Sequence, residues 1–300
     1  MLFVPGDRPE RFDKAAASGA DAVILDLEDA VTADRRGTAR VEVARYLGAA
    51  ARSVPLWVRI NPADSPDALA DLTAVIAARP DGILLPKPAS VDDLWRVDHW
   101  LEALEAAQGF APGAVALLPI VTEKARAVLG LATWGRLPAR VAGLTWGAED
   151  LAADIGAQAN RTTDGAYEPP FLLARSLCLL AAGAAGVPAY DTIDIDFRDL
   201  AAIERRSREA KRLGFSGQIA IHPAQIAAIH AAYTPSAEEI RWAERVLEAF
   251  RAAPGRGAVS LDGRMLDQPH LRQAEQILAA QGFAPGAVAL LPIVTEKARA

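Results

Sequence analysis

Short apolar segments alternate along the chain with longer segments in which apolar and polar residues recur at helical spacing. Continuous apolar segments separated by helices are typical of parallel strands that are covered on both faces. The segments between them are rich in Ala, Leu, Glu and Arg, as in Pro9–Ser18 and Val91–Gln108. The eight strand candidates are Leu2–Val4, Ala22–Leu27, Leu56–Ile60, Ile83–Leu85, Val115–Val121, Val141–Thr145, Thr192–Ile195 and Gln218–Ile221.

The number of strand candidates determines the predicted fold class. Eight strand–helix units favour a closed α/β barrel of the TIM (β/α)8 type, which needs about 250 residues. The chain has 300 residues, so one barrel and an extension fit. An open, doubly wound parallel sheet is the alternative architecture. We expect the barrel to occupy residues 1–233.

The pattern changes after the eighth strand. Ser236–Ala252 is predicted to be a helix, because Ser236 and Glu239 stand at the spacing of a capping box. A loop and the segment MLDQP (residues 265–269) follow, and a last helix is predicted near Leu271–Ala280. We expect residues 234–280 to form a helical lid segment, packed on its own barrel or on a neighbouring subunit.

The end of the chain repeats an earlier segment. Residues 279–300 are identical, letter for letter, to residues 106–127, where the fifth strand is predicted. Structural repeats are degenerate copies found throughout a chain, and nothing else here repeats. We interpret residues 281–300 as a non-native or recently duplicated tail, because an eight-stranded barrel has no ninth strand position.

Composition and charge narrow the class of protein. The net charge is -6 and no basic block stands out, so nucleic acid is not an expected partner. The single cysteine, Cys178, cannot form an internal disulfide, and the first residues do not resemble a signal peptide. The apolar region Phe171–Tyr190 is interrupted by Arg175 and by Gly and Pro, which favours a buried helix over a membrane span. These features predict a cytoplasmic protein without a membrane partner.

Two acidic residues follow neighbouring predicted strands. Glu123 comes after the fifth strand and Asp150 after the sixth, so their carboxylates can converge at the carboxyl end of a barrel. Two carboxylates suit Mg²⁺, which also keeps water and substrate oxygens as ligands, and Mn²⁺ accepts the same oxygens. A zinc site is not expected, because the sequence contains no cluster of Cys and His ligands. The alternative is that Glu123 caps a helix and Asp150 is an exposed loop acid.

Basic residues also follow the predicted strands. Arg59 is suited to stabilise a developing oxyanion, or to form an ion pair with Asp26 or Glu28 in the barrel mouth. Lys87 is suited to hold a carboxylate or phosphate, or to pair with the acids of the segment DLED (residues 26–29). Three more residues have two interpretations, as ligand contacts or as surface or packing residues. They are Arg8 and Lys14 of the first loop and His222 after strand eight.

Seven motifs occur together in a fixed order: FVPGDRPERFDKA, DAVILDLEDAV, VRIN, LPK, IVTE, GAEDLAADIG and IHPAQ. In this combination the chain resembles the citrate lyase β-subunit-like family of the HpcH/HpaI aldolase superfamily. The resemblance runs from Leu2 to about Ala280. A single motif such as VRIN is weak, whereas the ordered set is specific.

The resemblance implies roles for particular residues. Glu123 and Asp150 correspond to the family's Mg²⁺ ligands, and Arg59 to its oxyanion and carboxylate contact. Asp267 of MLDQP corresponds to an acid that some members, which are trimers or hexamers, supply to a neighbouring subunit's active site. The resemblance also implies contacts to substrate or coenzyme A from four residues: Arg8, Lys14, Ile221 and His222. With Lys87, which was singled out by its place at a strand end, and with Arg59 and Glu123, they make up the expected substrate and coenzyme A site.

These roles predict a Mg²⁺-dependent carbon–carbon lyase. Its substrate would be a hydroxyacyl-coenzyme A thioester of the malyl, citramalyl or 3-hydroxy-3-methylglutaryl type, cleaved to acetyl-CoA and an oxo acid. The alternatives are a β-subunit of a multi-subunit citrate lyase with an acyl-carrier partner, and a class II aldolase that acts on a free hydroxy-oxo acid. A barrel that binds a thioester without turnover is disfavoured, because Arg59, Glu123 and Asp150 are all present.

Overall fold

Eight parallel strands and the helices between them make up most of the chain. The computed structural model describes residues 1–48 and 52–281. The eight strands are β1 (Leu2–Pro5), β2 (Val23–Asp26), β3 (Leu56–Arg59), β4 (Gly82–Leu85), β5 (Ala116–Pro119), β6 (Leu144–Thr145), β7 (Ala189–Asp191) and β8 (Gly217–Gln218).

The strands close into a barrel. Strands β1 to β5 pair in parallel in chain order, and β6 to β8 form a second parallel sheet. The two sheets are joined on one side by the bridges Leu117↔Val141 and Ile120↔Thr145, and on the other by the bridge Leu2↔Ala220. The backbone N–H of Phe3 donates to the Ala220 carbonyl at 2.9 Å, which ties the last strand to the first. The predicted TIM barrel is confirmed.

The predicted position of the seventh strand was wrong. The pattern placed it at Thr192–Ile195, whereas β7 spans Ala189–Asp191. The β-branched residues of Thr192–Ile195 suit a strand by propensity, but they lie beyond the residues that pair with β6 and β8. An Asp at the strand end obscured the hydrophobic signal of β7.

The helices cover the outside of the barrel and form the C-terminal extension. Several begin at a serine or aspartate whose side chain accepts a backbone N–H, such as Ser90 before α4 and Asp199 before α8. The α-helices of the described chain are α1 (Phe12–Ala16), α2 (Arg36–Leu47), α3 (Pro66–Val75), α4 (Val91–Ala107), α5 (Ala125–Gly130), α6 (Glu149–Ile155), α7 (Pro169–Ala185), α8 (Leu200–Leu213), α9 (Gln225–Tyr233), α10 (Ala237–Arg251) and α11 (Gln268–Gln281). Short 3-10 turns lie at Pro9–Arg11, Ala33–Arg35, Ile76–Ala78 and Leu131–Thr133.

The buried side chains form two layers, because successive residues of a strand point to opposite faces. A small cluster that includes Ile24, Trp57, Leu118 and Tyr190 fills the inside of the barrel. The larger cluster lies between strands and helices. The Trp57 ring fits inside because its neighbour is Gly82, where an added Cβ would come 2.3 Å from the indole.

The C-terminal extension has a separate apolar cluster. The helices α10 and α11 pack on each other and on a hairpin of β9 (Ala258–Leu261) and β10 (Arg264–Asp267), with Phe250 and Leu266 among the buried residues. Ser236 caps α10, and its capping box with Glu239 is present as predicted. The pattern did not predict the hairpin. An ion pair of 3.0 Å between Lys211 and Glu239 joins α8 to α10. The packing of this extension on a neighbouring subunit remains a prediction.

Two further predictions concern the C-terminal tail and membrane-spanning helices. The predicted tail, residues 281–300, lies outside the described residues apart from Gln281, the last residue of α11. Within residues 1–48 and 52–281, no helix is both long and apolar enough to cross a membrane.

Candidate active site

Acidic and basic side chains converge where the barrel strands end. Asp26 and Arg59 are paired in register as the last residues of β2 and β3. Strand alternation turns both toward the same face as Ile24 and Trp57, which fill the barrel interior. The barrel mouth is therefore lined by charged groups directly above an apolar plug.

Arg59 is held by two acids and an aromatic ring. Its Nε and Nη2 donate to the two Asp26 carboxylate oxygens at 2.7 and 2.6 Å, and its Nη1 lies 3.0 Å from Glu28 Oε2. The Phe3 ring centroid lies 4.6 Å from the guanidinium carbon. Burial alone would lower the pKa of Arg59, but the acids outweigh it and raise that pKa. The guanidinium is a fixed positive charge whose orientation is set on two sides.

Lys87 connects the acids of the mouth through both its backbone and its side chain. Its φ of 53° lies in the left-handed region, which is rare for residues other than glycine. In this conformation its backbone N–H donates to Glu123 Oε2 at 2.6 Å. Its ammonium lies 2.8 Å from Asp29 and 3.1 Å from Asp150, and it also donates to Glu28.

Glu123 and Asp150 lie close together, as the sequence predicted. Glu123 follows β5 and is almost fully buried, and Asp150 is the second residue of α6. Burial raises the pKa of Glu123 well above its usual value, and the negative charge of Asp150 raises it further. Gly147 packs against Glu123, since an added Cβ would come 2.7 Å from its Cγ. Two oxygen donors of like charge at one point fit a divalent cation that prefers oxygen ligands.

Glu28 adds a third acid to this network. Burial raises its pKa to about 7, although Arg59 and Lys87 act to lower it. The alternative interpretations of Arg59 and Lys87, as ion-pair partners of these acids, are therefore present in the structure. An acid-paired guanidinium can still face a substrate, because the pairing fixes its direction.

A groove of about 430 Å³ lies beside the ends of β1 and β8. Its walls include three residues that were assigned to coenzyme A: Lys14, Ile221 and His222. Phe3 also lines it, and this ring contacts Arg59, so the groove adjoins the charged mouth. The backbone N–H groups of Ile221 and His222 both donate to one Gln225 side-chain oxygen, at 2.8 and 3.0 Å.

Two predicted residues lie apart from these groups. Arg8 is exposed and lies 3.8 Å from Asp7, and Arg11 takes a place on the groove wall that Arg8 does not. Asp267 ends β10, and its carboxylate lies 2.6 Å from His270 Nδ1. Among the contacts of the described residues, none joins Asp267 to the mouth of this chain's own barrel.

Two family models match the chain. The model described as HpcH/HpaI aldolase/citrate lyase matches residues 1–223, and the model described as a C-C bond lyase of the TIM-barrel fold matches residues 190–283. Together with the barrel and its acidic mouth, these matches define the protein as a carbon–carbon lyase.

Relatives of known name agree with the family models. A citrate lyase subunit beta-like protein of Mycobacterium tuberculosis is 38% identical over 288 residues, which cover 94% of this chain and 95% of the relative. The mitochondrial citramalyl-CoA lyase of Rattus norvegicus is 33% identical, with 93% and 84% covered. The citrate lyase subunit beta of Escherichia coli is also 33% identical, with 93% and 91% covered.

A solved structure is similar over the same range. The crystal structure of the protein CitE from M. tuberculosis, in complex with magnesium, acetoacetate and coenzyme A, has a TM-score of 0.79 and 37% identity. The match covers 94% of this chain and 97% of the crystallised chain. This chain belongs to the HpcH/HpaI aldolase/citrate lyase family.

Proposed function

We propose that the protein is a Mg²⁺-dependent lyase that cleaves a hydroxyacyl-coenzyme A thioester to acetyl-CoA, or a homologue, and an oxo acid. The observation that carries the proposal is the convergence of Glu123, Asp150 and Arg59 in a barrel mouth that adjoins a groove lined by Lys14 and His222. The named relatives support the thioester class, since one is a citramalyl-CoA lyase and another was crystallised with magnesium and coenzyme A.

Glu123 and Asp150 would hold the metal ion, with Mn²⁺ as a possible substitute. When bound, the ion would lower the pKa of the substrate hydroxyl and fix its geometry. Lys87 sets the direction of the Glu123 carboxylate through its backbone N–H, and its ammonium pairs with Asp150. Both carboxylates are thereby oriented before any ligand arrives.

Arg59 would balance the negative charge that moves during cleavage. The hydroxyl carbon becomes the carbonyl of the oxo acid as the carbon–carbon bond breaks, and the electron pair of that bond forms a thioester enolate. The fixed guanidinium stabilises this charge without reorganisation. The hydroxyl loses a proton and the enolate carbon gains one, and we assign the donor of that second proton to Asp267 of a neighbouring subunit in a trimer or hexamer.

The groove would receive the coenzyme A part of the substrate. Lys14 and Arg11 offer positive charge to its phosphates, and His222 stacks on Phe197 with ring centroids 4.5 Å apart. Arg8 is exposed on the same first loop and would contact the outer phosphates.

A second candidate is a β-subunit of a multi-subunit citrate lyase, which would act on a thioester carried by an acyl-carrier partner. The relatives from E. coli and Haemophilus influenzae named citrate lyase subunit beta favour it. The same mouth would carry out the same cleavage, and only the thioester carrier would differ.

The test is release of oxo acid from malyl-CoA, citramalyl-CoA, 3-hydroxy-3-methylglutaryl-CoA and free citramalate, with Mg²⁺ and with EDTA. We expect metal-dependent cleavage of one thioester, lost in Glu123→Gln and Asp150→Asn. Cleavage of the free acid alone would contradict the proposal and identify an aldolase. Cleavage only after addition of an acyl-carrier protein would identify the lyase subunit.

A further inference from the structure

Behind strands β6 and β7 lies a buried polar cluster that the proposed reaction does not use. It consists of Asp191, Trp146 and Arg175, all less than a tenth exposed. Asp191 Oδ1 accepts from Trp146 Nε1 at 2.6 Å, and Oδ2 accepts from Arg175 Nη2 at 2.7 Å. The Trp146 ring is also held at its side by Tyr167, with centroids 5.0 Å apart. The indole is thus fixed by a charge-assisted hydrogen bond and by an edge contact.

The cluster faces away from the barrel interior. Trp146 packs in the apolar layer between strands and helices. Tyr190, the neighbour of Asp191 in β7, packs inside the barrel, and successive strand residues point to opposite faces. Asp191 and Trp146 therefore lie one layer behind the site and cannot touch a substrate in the mouth.

Trp146 nevertheless starts the segment that carries Asp150. The next residue, Gly147, donates its backbone N–H to Thr122 Oγ1 at 3.2 Å. Gly147 also packs against the Glu123 side chain. Asp150 follows three residues later at the beginning of α6. A shift of the indole would therefore move the turn that faces Glu123 and carries Asp150.

We propose that Asp191 and Trp146 are positioning residues that hold Asp150 and Glu123 at the separation needed to share one divalent cation. This inference rests on the proposed function, because it takes those two acids as the metal ligands. Groups that orient metal ligands from behind typically change metal affinity by about 10–100-fold when removed.

The chain offers a matched control at the other end of the barrel. There Asp98 accepts from Arg140 Nε, and both side chains are less than a tenth exposed. Arg140 immediately precedes Val141, which bridges to β5 at the start of the β6 region, so this pair lies far along the strands from the mouth. Asp98→Asn removes the same kind of buried charge as Asp191→Asn without touching the segment that leads to Asp150.

The experiment is a Mn²⁺ titration followed by electron paramagnetic resonance of the free ion, with thermal unfolding measured on the same samples. The proteins are the full chain and its Trp146→Phe, Asp191→Asn, Asp98→Asn and Glu123→Gln variants. We expect the Kd for Mn²⁺ to rise about tenfold or more in Trp146→Phe and Asp191→Asn. Asp98→Asn should lower the Tm and leave unchanged the Kd of the site that Glu123→Gln removes. Binding is compared at that site alone, because Asp98, His99 and Glu102 have ligand atoms within 4.8 Å of one another and could bind Mn²⁺ separately.

The inference is overturned if folded Trp146→Phe and Asp191→Asn bind Mn²⁺ as the wild-type chain does, or if Asp98→Asn weakens binding equally. Should Asp191→Asn not fold, Trp146→Phe decides alone, since it keeps an aromatic ring and removes only the indole donor and part of its volume. If the wild-type chain and Glu123→Gln bind Mn²⁺ equally, the metal site itself is wrong. That outcome is distinct from failure of the positioning role.

Discussion

Two arginines that are largely shielded from solvent lie at opposite ends of the barrel and have different surroundings. Arg140 donates to Asp98 and Glu105 near the amino ends of the strands. Arg59 pairs with Asp26 and Glu28 at the carboxyl ends. Both guanidiniums are well shielded from solvent, and each lies within 3.0 Å of two acids, with Asp29 a third acid 4.0 Å from Arg59, so the arginines alone do not distinguish the ends.

The acids around the two arginines show the difference. Burial alone would raise the pKa of Glu105, but Arg140 and the backbone N–H groups of Val115 and Gly113 bring it below its usual value. At the mouth, burial raises the pKa of Glu28 to about 7, and that of Glu123 is also raised. One end satisfies its acids within the chain, and the other retains acids that a bound cation would satisfy. This contrast supports the cation site proposed above, because acids with raised pKa values cluster at functional sites.

Glu123→Gln should have the largest effect on activity. The variant keeps the shape of the side chain and removes one of the two adjacent charges that would hold the cation. We expect the rate of oxo-acid release to fall by on the order of 10³-fold or more. The Tm in EDTA should not fall, because a buried negative charge is removed. Retained activity would show that Glu123 is not needed for the reaction, and the two ends of the barrel would then not differ in function.

Arg140→Met should reveal the stabilising role of the opposite end. It leaves Asp98 and Glu105 buried without their cation, which typically costs about 3–5 kcal/mol of unfolding free energy. Denaturant unfolding measures this loss. The kcat per folded molecule should equal that of the wild-type chain. A loss of kcat without a loss of stability would contradict the assignment of this cluster.

Arg59→Lys should separate charge from geometry at the mouth. Lysine keeps the positive charge but cannot donate two parallel hydrogen bonds to Asp26. We expect kcat to fall by about 10²-fold, with a smaller change in KM, because the fixed guanidinium acts on charge that develops in the transition state. Steady-state kinetics on the preferred thioester provide the measurement. An unchanged kcat would show that a charge in any orientation suffices.

Lys14→Gln should have a moderate effect confined to the groove. Lys14 is exposed, so its contact with a phosphate would contribute little free energy, and KM for the thioester should rise about fivefold. The effect should shrink as ionic strength rises, and kcat should not change. Lys124→Gln, which alters another exposed lysine away from the groove, is the control. Equal effects of both variants would argue against a phosphate site.

Deletion of residues 281–300 should have the smallest effect. These residues copy part of an internal segment, and the barrel already contains its eight strands. We expect activity to be unchanged or raised. Activity assays and size-exclusion chromatography provide the measurement, and loss of activity or of a trimer would contradict the expectation.

The sequence located the mouth because charged residues directly follow apolar strands. Glu123, Asp150, Arg59 and Lys87 were each predicted from that position alone, and they meet in one network. Parallel strands bring their carboxyl ends to one side of a barrel, so strand order was sufficient information. The barrel itself was predicted from the count of eight alternating strand–helix units along the chain.

Other features could not be predicted from local pattern. The choice of Arg11 over Arg8 on the groove depends on helical phase, since Arg11, Lys14 and Ala15 share one face and Arg8 precedes the first turn. The bond between Asp191 and Trp146 joins residues 45 positions apart, and the strand that carries Asp191 was itself misplaced. Such contacts depend on packing between elements rather than on spacing within one.

The barrel consists of a five-stranded and a three-stranded sheet that meet through isolated bridges. The two sheets therefore meet along two seams. The first seam lies between β5 and β6, the strands that Glu123 and Asp150 follow. The groove residues Lys14 and His222 lie beside the other seam, between β8 and β1. A bound cation and a bound thioester would each hold the two sheets together across one seam. Ligands should then slow amide hydrogen exchange at Val121 and Phe3, whose N–H groups cross the seams, more than within either sheet.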